Sequence, residues 1–223
     1  MKADLIYITS QITFRDVQQG YPKHEVLNGE LQEWLFRPAR ILAESSAGNF
    51  SAMGTGMALL VLELMFFEHH GQYLTGKNSD AKASVDTKIS SSRAFCIGFA
   101  AFRDYLVECR GQCADLLDVD PKHLYKLARC GLFHSFSLRW EFLVDARQQS
   151  ASFERNPMPA VGGWLINPWQ LLDDLQSYAS EYVCALADEA HPWWAPDYTH
   201  AGGCLYEHFE RTFDRIHPVL QYV

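Results

Sequence analysis

The stretch from Gly54 to Tyr73 constrains the fold of this chain more than any other feature. It is apolar around nearly the whole circumference of a helix. A helix of that kind must be buried on all sides, so we expect it at the centre of a helical bundle. Its most apolar part, Met53 to Phe67, is shorter than a membrane span and contains Glu63. The sequence therefore predicts a buried core helix, and we expect no association with a membrane.

A second apolar stripe runs from Leu27 to Leu42 and includes Trp34 and Ile41. Its residues recur every three or four positions, as on the buried face of an amphipathic helix. Pro38 interrupts the stripe, and proline removes a backbone donor from the interior of a helix. The segment is therefore predicted to be either one kinked helix or two short helices.

Capping residues mark the start of three more helices. Asp120-Pro121 and Asn167-Pro168 each place a side-chain acceptor before a proline, which needs no partner at the first helical position. Ser91 or Ser92 is a candidate cap for a third helix, and a last helix begins near Leu205. Each of these helices has a predicted buried stripe. The stripe of the serine-capped helix is Phe95, Phe99, Phe102, Leu106, Cys109 and Cys113, and that of the helix after Asp120 is Leu124, Leu127, Ala128, Gly131 and Leu132. The stripe of the helix after Asn167 is Leu171, Leu172, Leu175, Tyr178, Ala179, Tyr182, Val183 and Leu186, and that of the last helix is Leu205, Phe209, Phe213 and Ile216.

The helical period is lost after Ser137. Residues around Phe153 and the run from Gly162 to Ile166 resemble two short extended segments, and a proline-rich run between them excludes a helix. We expect a β-hairpin there, and a mobile polar loop over Gly76–Ser92. The pattern as a whole predicts an all-α fold, a bundle of about six helices with a small β-hairpin insertion, in a single domain covering residues 1–223.

The N-terminal apolar run is too short for the core of a signal peptide and is interrupted by Asp4. The six cysteines include no Cys-x-x-Cys pair, so the usual zinc and redox signatures are absent. We expect a cytoplasmic protein whose cysteines are small packing residues.

The formal net charge of −8 argues against a general nucleic-acid coat protein, but it is unevenly distributed. Residues 121–155 carry six basic and three acidic side chains, a net charge of +3, whereas residues 1–120 carry −4 and residues 156–223 carry −7. One small basic segment in an acidic chain suits contact with a few phosphates rather than with a long nucleic-acid tract.

Within the basic segment, Arg129 precedes His134 with four residues between them. Arginine is permanently cationic and can bind two phosphate oxygens, and histidine exchanges a proton near neutral pH. Such a pair suffices to cleave RNA without a metal or other cofactor: the base removes the proton of the ribose 2′-hydroxyl, and the cation stabilises the charge that develops on phosphorus. The candidate substrate-binding residues nearby are Lys122, Lys126, Cys130 and Arg139.

The run from Tyr125 to His134 resembles the motif of the HEPN family, the higher eukaryotes and prokaryotes nucleotide-binding domain. The step Ile166-Asn167-Pro168-Trp169 into a long amphipathic helix supports the resemblance, which is strongest over residues 92–190. It implies an all-α bundle that forms a homodimer, in which two copies of Arg129 and His134 meet in one cleft. Active members are metal-independent endoribonucleases, often toxins with a cognate antitoxin or defence effectors, and others are inactive partners of nucleotidyltransferases.

Other interpretations stay open at this point. Many active HEPN members carry a polar residue, often Asn, after the arginine; here Cys130 follows Arg129, which favours a non-catalytic nucleotide-binding, RNA-binding or protein-interaction module. Arg129 could instead pair with an acidic residue of a neighbouring helix, and His134 could cap its own helix. A second pair of the same type, Arg211 and His217, lies in an acidic segment.

Overall fold

The structure is a computed structural model, and the residues that it describes are mostly helical, as predicted. It describes residues 8–45, 52–78, 88–112, 114–135, 141–145, 151–157, 163–188, 191 and 205–217. Within these ranges only the backbone is described for Phe14, Ala52, Met53, Leu127, Phe133, His134 and Ser135.

The helices and strands follow one another in an order close to the predicted one. The helices are α1 (Phe14–Gln18), α2 (Lys23–Glu30), α3 (Arg37–Ser45), α4 (Ala52–Thr75), α5 (Ser91–Glu108), α6 (Pro121–Leu124), α7 (Cys130–Ser135), α8 (Pro168–Ala187) and α9 (Leu205–Ile216). Two π-helical turns, Leu31–Phe36 and Tyr125–Arg129, and a 3₁₀ turn, Ala114–Asp118, lie between helices. The strands are β1 (Phe142–Val144), β2 (Phe153–Arg155) and β3 (Trp164–Ile166).

The chain divides into two compact units. Unit 1 takes its described residues from Met1–Pro38, Gln72–Ser90 and Ala179–Val223, and unit 2 takes them from Ala39–Gly71 and Ser91–Tyr178. Unit 2 therefore contains the three strands, α5 and all residues between Pro121 and Ser135 that the structure describes.

The interior of unit 2 is organised by a very close approach between α4 and α5. A Cβ atom placed on Gly71 would lie 1.9 Å from the Ala94 carbonyl oxygen, and one on Gly98 would lie 2.0 Å from the Phe67 carbonyl oxygen. Only glycine allows two helix backbones to approach this closely. The Phe67 ring then packs against three α5 rings at centroid distances of 5.2–5.5 Å, those of Phe95, Phe99 and Phe102.

Proline explains the π-helical turn before α3. Pro38 lacks the N–H that would bind a carbonyl one turn earlier, and its ring would crowd that carbonyl. The backbone widens there, and the Arg37 N–H donates to the Gln32 carbonyl, five residues back. Trp34, inside this turn, is 70% exposed, and Ile41, after it, is 62% exposed. Their prediction as members of a buried stripe is therefore wrong.

The residues 121–135 form one continuous helical segment, called the motif helix below. Asp120 caps it by accepting from the Lys122 N–H at 3.0 Å, and Pro121 occupies the first turn, as predicted. The segment widens to a π-helical turn at its middle, where the Cys130 N–H donates to the Tyr125 carbonyl. Such turns occur often at functional sites.

The predicted β-hairpin is found as an antiparallel pair of β2 and β3, with Phe153 opposite Ile166. The sheet has a third strand that was not predicted, because β1 pairs in parallel with β3 and places Phe142 opposite Trp164. Gly163 makes this possible: its φ is +84°, and a Cβ there would lie 2.4 Å from the Glu141 carbonyl oxygen.

A buried carboxylate joins this sheet to α8. Asp174 is 1% exposed and accepts from the Gln112 amide at 2.7 Å and from the Ser152 hydroxyl. Asn167 caps α8 by accepting from the Gln170 N–H at 3.2 Å, as the Asn167-Pro168 pair predicted. Buried polar groups are therefore satisfied where the strands meet the helix.

In unit 1, α9 satisfies carbonyls at the C-terminal end of α4. Helix ends leave their last carbonyls without intrahelical donors. Here His208 donates to the Leu74 carbonyl at 2.8 Å, Thr212 to Gln72 at 3.0 Å and Arg215 to Gly76 at 2.8 Å. The rings of Tyr73 and Phe209 stack beside these bonds at 5.6 Å. This hydrogen bonding determines the orientation of α9 within the unit.

Other predictions have mixed outcomes. The helix predicted to be capped by Ser91 or Ser92 includes both serines and ends at Glu108, so neither serine is its cap. Cys109 lies beyond this helix and is exposed, and Cys113 lies outside the described residues. Of the loop predicted over Gly76–Ser92, residues 79–87 also lie outside the described residues, and Ser91 and Ser92 belong to α5, so the predicted end of the loop is wrong. In the part of the chain that the structure describes, no helix has both the length and the apolar character needed to cross a membrane.

Because α4 and α5 are so close, we expect the addition of a single methyl group at this contact to lower the stability of the protein strongly. We expect Gly98→Ala to destabilise the protein by about 3 kcal/mol, the upper end for overpacking, because a backbone carbonyl has no room to move away. Urea unfolding followed by circular dichroism measures the difference.

Gly54→Ala is the matched control, because Gly54 lies in α4 with nothing within 4 Å of its added Cβ. It should be neutral or stabilise by up to about 1 kcal/mol, since alanine favours helices. Equal stability of the two variants would contradict the close approach of the two helices.

Candidate functional site

The guanidinium of Arg129 lies against a carboxylate that the motif did not identify. Its Nη2 is 2.7 Å from Oε2 of Glu68 on α4, and the two side chains are 22% and 15% exposed. Both residues belong to unit 2. The arginine of the motif is therefore held at the edge of the protein, partly exposed to water, by an ion pair.

A second contact fixes Arg129 from within its own helix. The guanidinium carbon lies 5.5 Å from the centroid of the Tyr125 ring, a cation–π distance. That ring packs edge-on against Phe95 of α5 at 5.2 Å, so it is itself supported by the core. Burial raises the pKa of the Tyr125 phenol, against the opposing effect of the Arg129 charge. Tyr125 is therefore a neutral aromatic support under the cation.

The other candidate residues of the motif helix differ in their surroundings. Lys122 and Lys126 are exposed, and Cys130 is half-buried. For His134 the structure describes the backbone within α7 but not the side chain, and Arg139 lies outside the described residues. The structure thus brings Arg129 together with Tyr125 and Glu68, on a helix that also carries two exposed lysines.

This arrangement can bind an anionic group of limited size. A guanidinium and two exposed ammonium groups on the same helix attract phosphate, and the aromatic ring limits the conformations of the arginine. The Glu68 carboxylate acts against this by neutralising part of the charge. The local field is therefore weaker than the net charge of +3 in the sequence segment implies.

The second Arg–His pair has a different environment, in unit 1. Arg211 is exposed, and the His217 Nε2 lies 3.4 Å from a Glu30 carboxylate oxygen. Lys23 binds both Glu210 and Asp214 of α9, the latter at 2.7 Å. The lysine therefore offsets part of the negative charge on this helix face. Among the described residues no three His, Cys, Asp or Glu side chains converge as a metal site requires.

Two polar residues are buried in the otherwise apolar part of α4. His70 shares a 2.7 Å hydrogen bond with the Tyr178 hydroxyl and stacks on Phe66 at 5.2 Å. Glu63 is fully buried, and neither of its carboxylate oxygens has a hydrogen-bond partner among the described residues. Burial, and to a smaller extent the Asp173 carboxylate, holds the pKa of Glu63 well above its ordinary value. Burial at this position therefore favours the protonated form of the carboxyl.

Sequence reasoning anticipated an acidic partner for Arg129 only as an unnamed alternative, and it missed Tyr125 as the support of the guanidinium. The available signal for Glu68 was weak but present, because Glu63 and Glu68 are the acidic side chains of α4. A charge in such an apolar helix is expected to have a specific role or partner.

Searches against protein-family models, curated proteins and solved structures give no match for this chain. The candidate site is accordingly defined by its own residues and their contacts.

The buried carboxyl of Glu63 predicts a pH effect. The native carboxyl keeps its proton at pH values at which the unfolded chain has lost it, so stability falls as the pH rises from the ordinary glutamate pKa towards the raised native pKa. Glu63→Met removes this fall, and we expect it to stabilise the protein at pH 7 by about 1–3 kcal/mol, the usual penalty for a buried unsatisfied polar group. Urea unfolding curves recorded at a series of pH values between about pH 4 and pH 8 measure both effects.

Glu207→Met is the control, since Glu207 is an exposed residue of α9. It should leave the pH dependence of stability unchanged. A Glu63→Met protein that is less stable than the native one at pH 7 would mean that the carboxylate is satisfied by residues beyond those described.

Proposed function

We propose that this protein is a HEPN-like, metal-independent endoribonuclease that acts as a homodimer. Arg129 and His134 of both protomers would lie in one cleft, and Lys122, Lys126 and Arg139 would contact the RNA backbone. The observation that carries the proposal is the position of Arg129: partly exposed, supported by Tyr125, and on a helix with two exposed lysines.

The chemistry follows from these groups. His134 removes the proton of a ribose 2′-hydroxyl, whose oxygen attacks the adjacent phosphorus, and the 5′-oxygen leaves with a proton returned by a histidine. Arg129 stabilises the negative charge on the phosphoryl oxygens in the transition state. The products are a 2′,3′-cyclic phosphate and a 5′-hydroxyl end, so all atoms are accounted for without an added cofactor.

A second function is favoured by two specific observations. Glu68 already occupies the Arg129 guanidinium, and Cys130 stands where active HEPN proteins often have Asn. Both suit a non-catalytic module on the same fold, which binds RNA or a nucleotide or interacts with a nucleotidyltransferase or an antitoxin. In that case Arg129 would contact phosphate without promoting its transfer.

The two functions predict different results for RNA incubated with purified protein in EDTA. For the endoribonuclease, we expect cleavage of single-stranded RNA, and His134→Ala and Arg129→Ala should each reduce the rate by about 10²–10⁴-fold, the usual contribution of acid–base and electrostatic groups. Gel analysis measures the rates, and mass spectrometry identifies the cyclic phosphate ends.

Arg211→Ala is the matched control, because it removes an exposed arginine of the second Arg–His pair. It should cleave at the native rate. Undiminished cleavage by His134→Ala would refute the role of that histidine. Arg129-dependent RNA binding without any cleavage would instead establish the non-catalytic module, and sedimentation velocity on the same samples tests the dimer.

A further inference from the structure

The ion pair between Arg129 and Glu68 suggests more than a structural role for Glu68. Carboxylate and phosphate oxygens are alternative acceptors for the same guanidinium donors. We propose that Glu68 is a built-in competitor, which holds Arg129 until a phosphate group displaces it. This inference rests on the proposed function only for the identity of the RNA, because exchange of a carboxylate for a phosphate requires no cleavage.

Exposure makes the exchange feasible. With side chains 22% and 15% exposed, the pair is partly buried but remains in contact with water at one side. A phosphodiester can approach the same edge without first opening the core. Lys122 and Lys126, both exposed on the motif helix, add attraction for an anion that Glu68 does not share.

The aromatic contact distinguishes a competitor from a positioning residue. If Glu68 were the only support of Arg129, its removal would release the guanidinium and weaken phosphate binding. Tyr125 lies under the guanidinium at 5.5 Å and is packed against Phe95. Arg129 therefore keeps its place when the carboxylate moves away, and the loss of Glu68 leaves more positive charge for the ligand.

The test compares native protein with Glu68→Gln, Arg129→Gln and the double variant, all as full-length chains. One arm measures binding of a fluorescent single-stranded RNA by anisotropy over a range of salt concentrations. The other arm measures inorganic phosphate by isothermal titration calorimetry, which separates the shared phosphate chemistry from RNA recognition. Glu207→Gln makes the same change in net charge at an exposed glutamate of α9 and serves as the control.

Glu68→Gln should bind both ligands about three- to tenfold tighter, as expected when a partly buried ion pair no longer competes for the guanidinium. The gain should vanish in the double variant and be absent in Glu207→Gln. The slope of log affinity against log salt concentration for RNA should steepen by about 0.7, equivalent to one more phosphate contact with a single strand.

A Glu68→Gln protein that binds no tighter than the native one, or as weakly as Arg129→Gln, overturns the inference. Tighter, Arg129-dependent phosphate binding without RNA cleavage supports the inference while the proposed endoribonuclease fails. Glu68→Asp is the second variant if Glu68→Gln does not fold: its shorter carboxylate should compete less well and give an intermediate affinity. Native affinity in that variant would also overturn the inference.

Discussion

The approach of α4 and α5 at Gly71 and Gly98 is the constraint on which the rest of unit 2 depends. A carbonyl oxygen lies about where each glycine would carry a Cβ, so the two backbones can be this close only because both residues are glycine. With the backbones in contact, the ring of Phe67 reaches three α5 rings at once. One of those rings, Phe95, continues to Tyr125 on the motif helix. The packing that supports Arg129 thus depends on the two glycines, Gly71 and Gly98.

The same central helix supplies the polar groups that give the unit its chemical character. A helix buried on most sides can carry a polar side chain only with a partner or in its neutral form. Along α4 the structure shows three solutions: Glu68 pairs with Arg129, His70 shares a hydrogen bond with Tyr178, and Glu63 is buried under conditions that favour its protonated form. Glu68 is the most exposed of the three, and it is the one that faces the candidate site.

Local signals in the sequence predicted the features that depend on neighbouring residues. Asp120 and Asn167 cap their helices through bonds to amides two or three residues away, so the sequence alone determines these starts. The π-helical turn at Tyr125–Arg129 has no such marker in the sequence, because a hydrogen bond to the carbonyl five residues earlier requires no particular residue type. The parallel pairing of β1 with β3 and the contact between Glu68 and Arg129, 61 residues apart, depend on tertiary packing. The sequence therefore identified candidate residues on the motif helix but not the side chains that contact them.

The partners change the meaning of the charge distribution. In the sequence, the basic segment is distinct from the acidic remainder of the chain, and no pairing of its basic side chains with acidic ones is visible. In the structure, one acidic residue of α4 is brought to the arginine at the centre of that segment. If Glu68 competes with phosphate as proposed, a helix with two exposed lysines and one compensated arginine would attract an anion at long range and then select at contact, because only a group that binds guanidinium better than a carboxylate would gain the arginine. Selection of that kind would favour phosphate over the carboxylates that are abundant on protein surfaces.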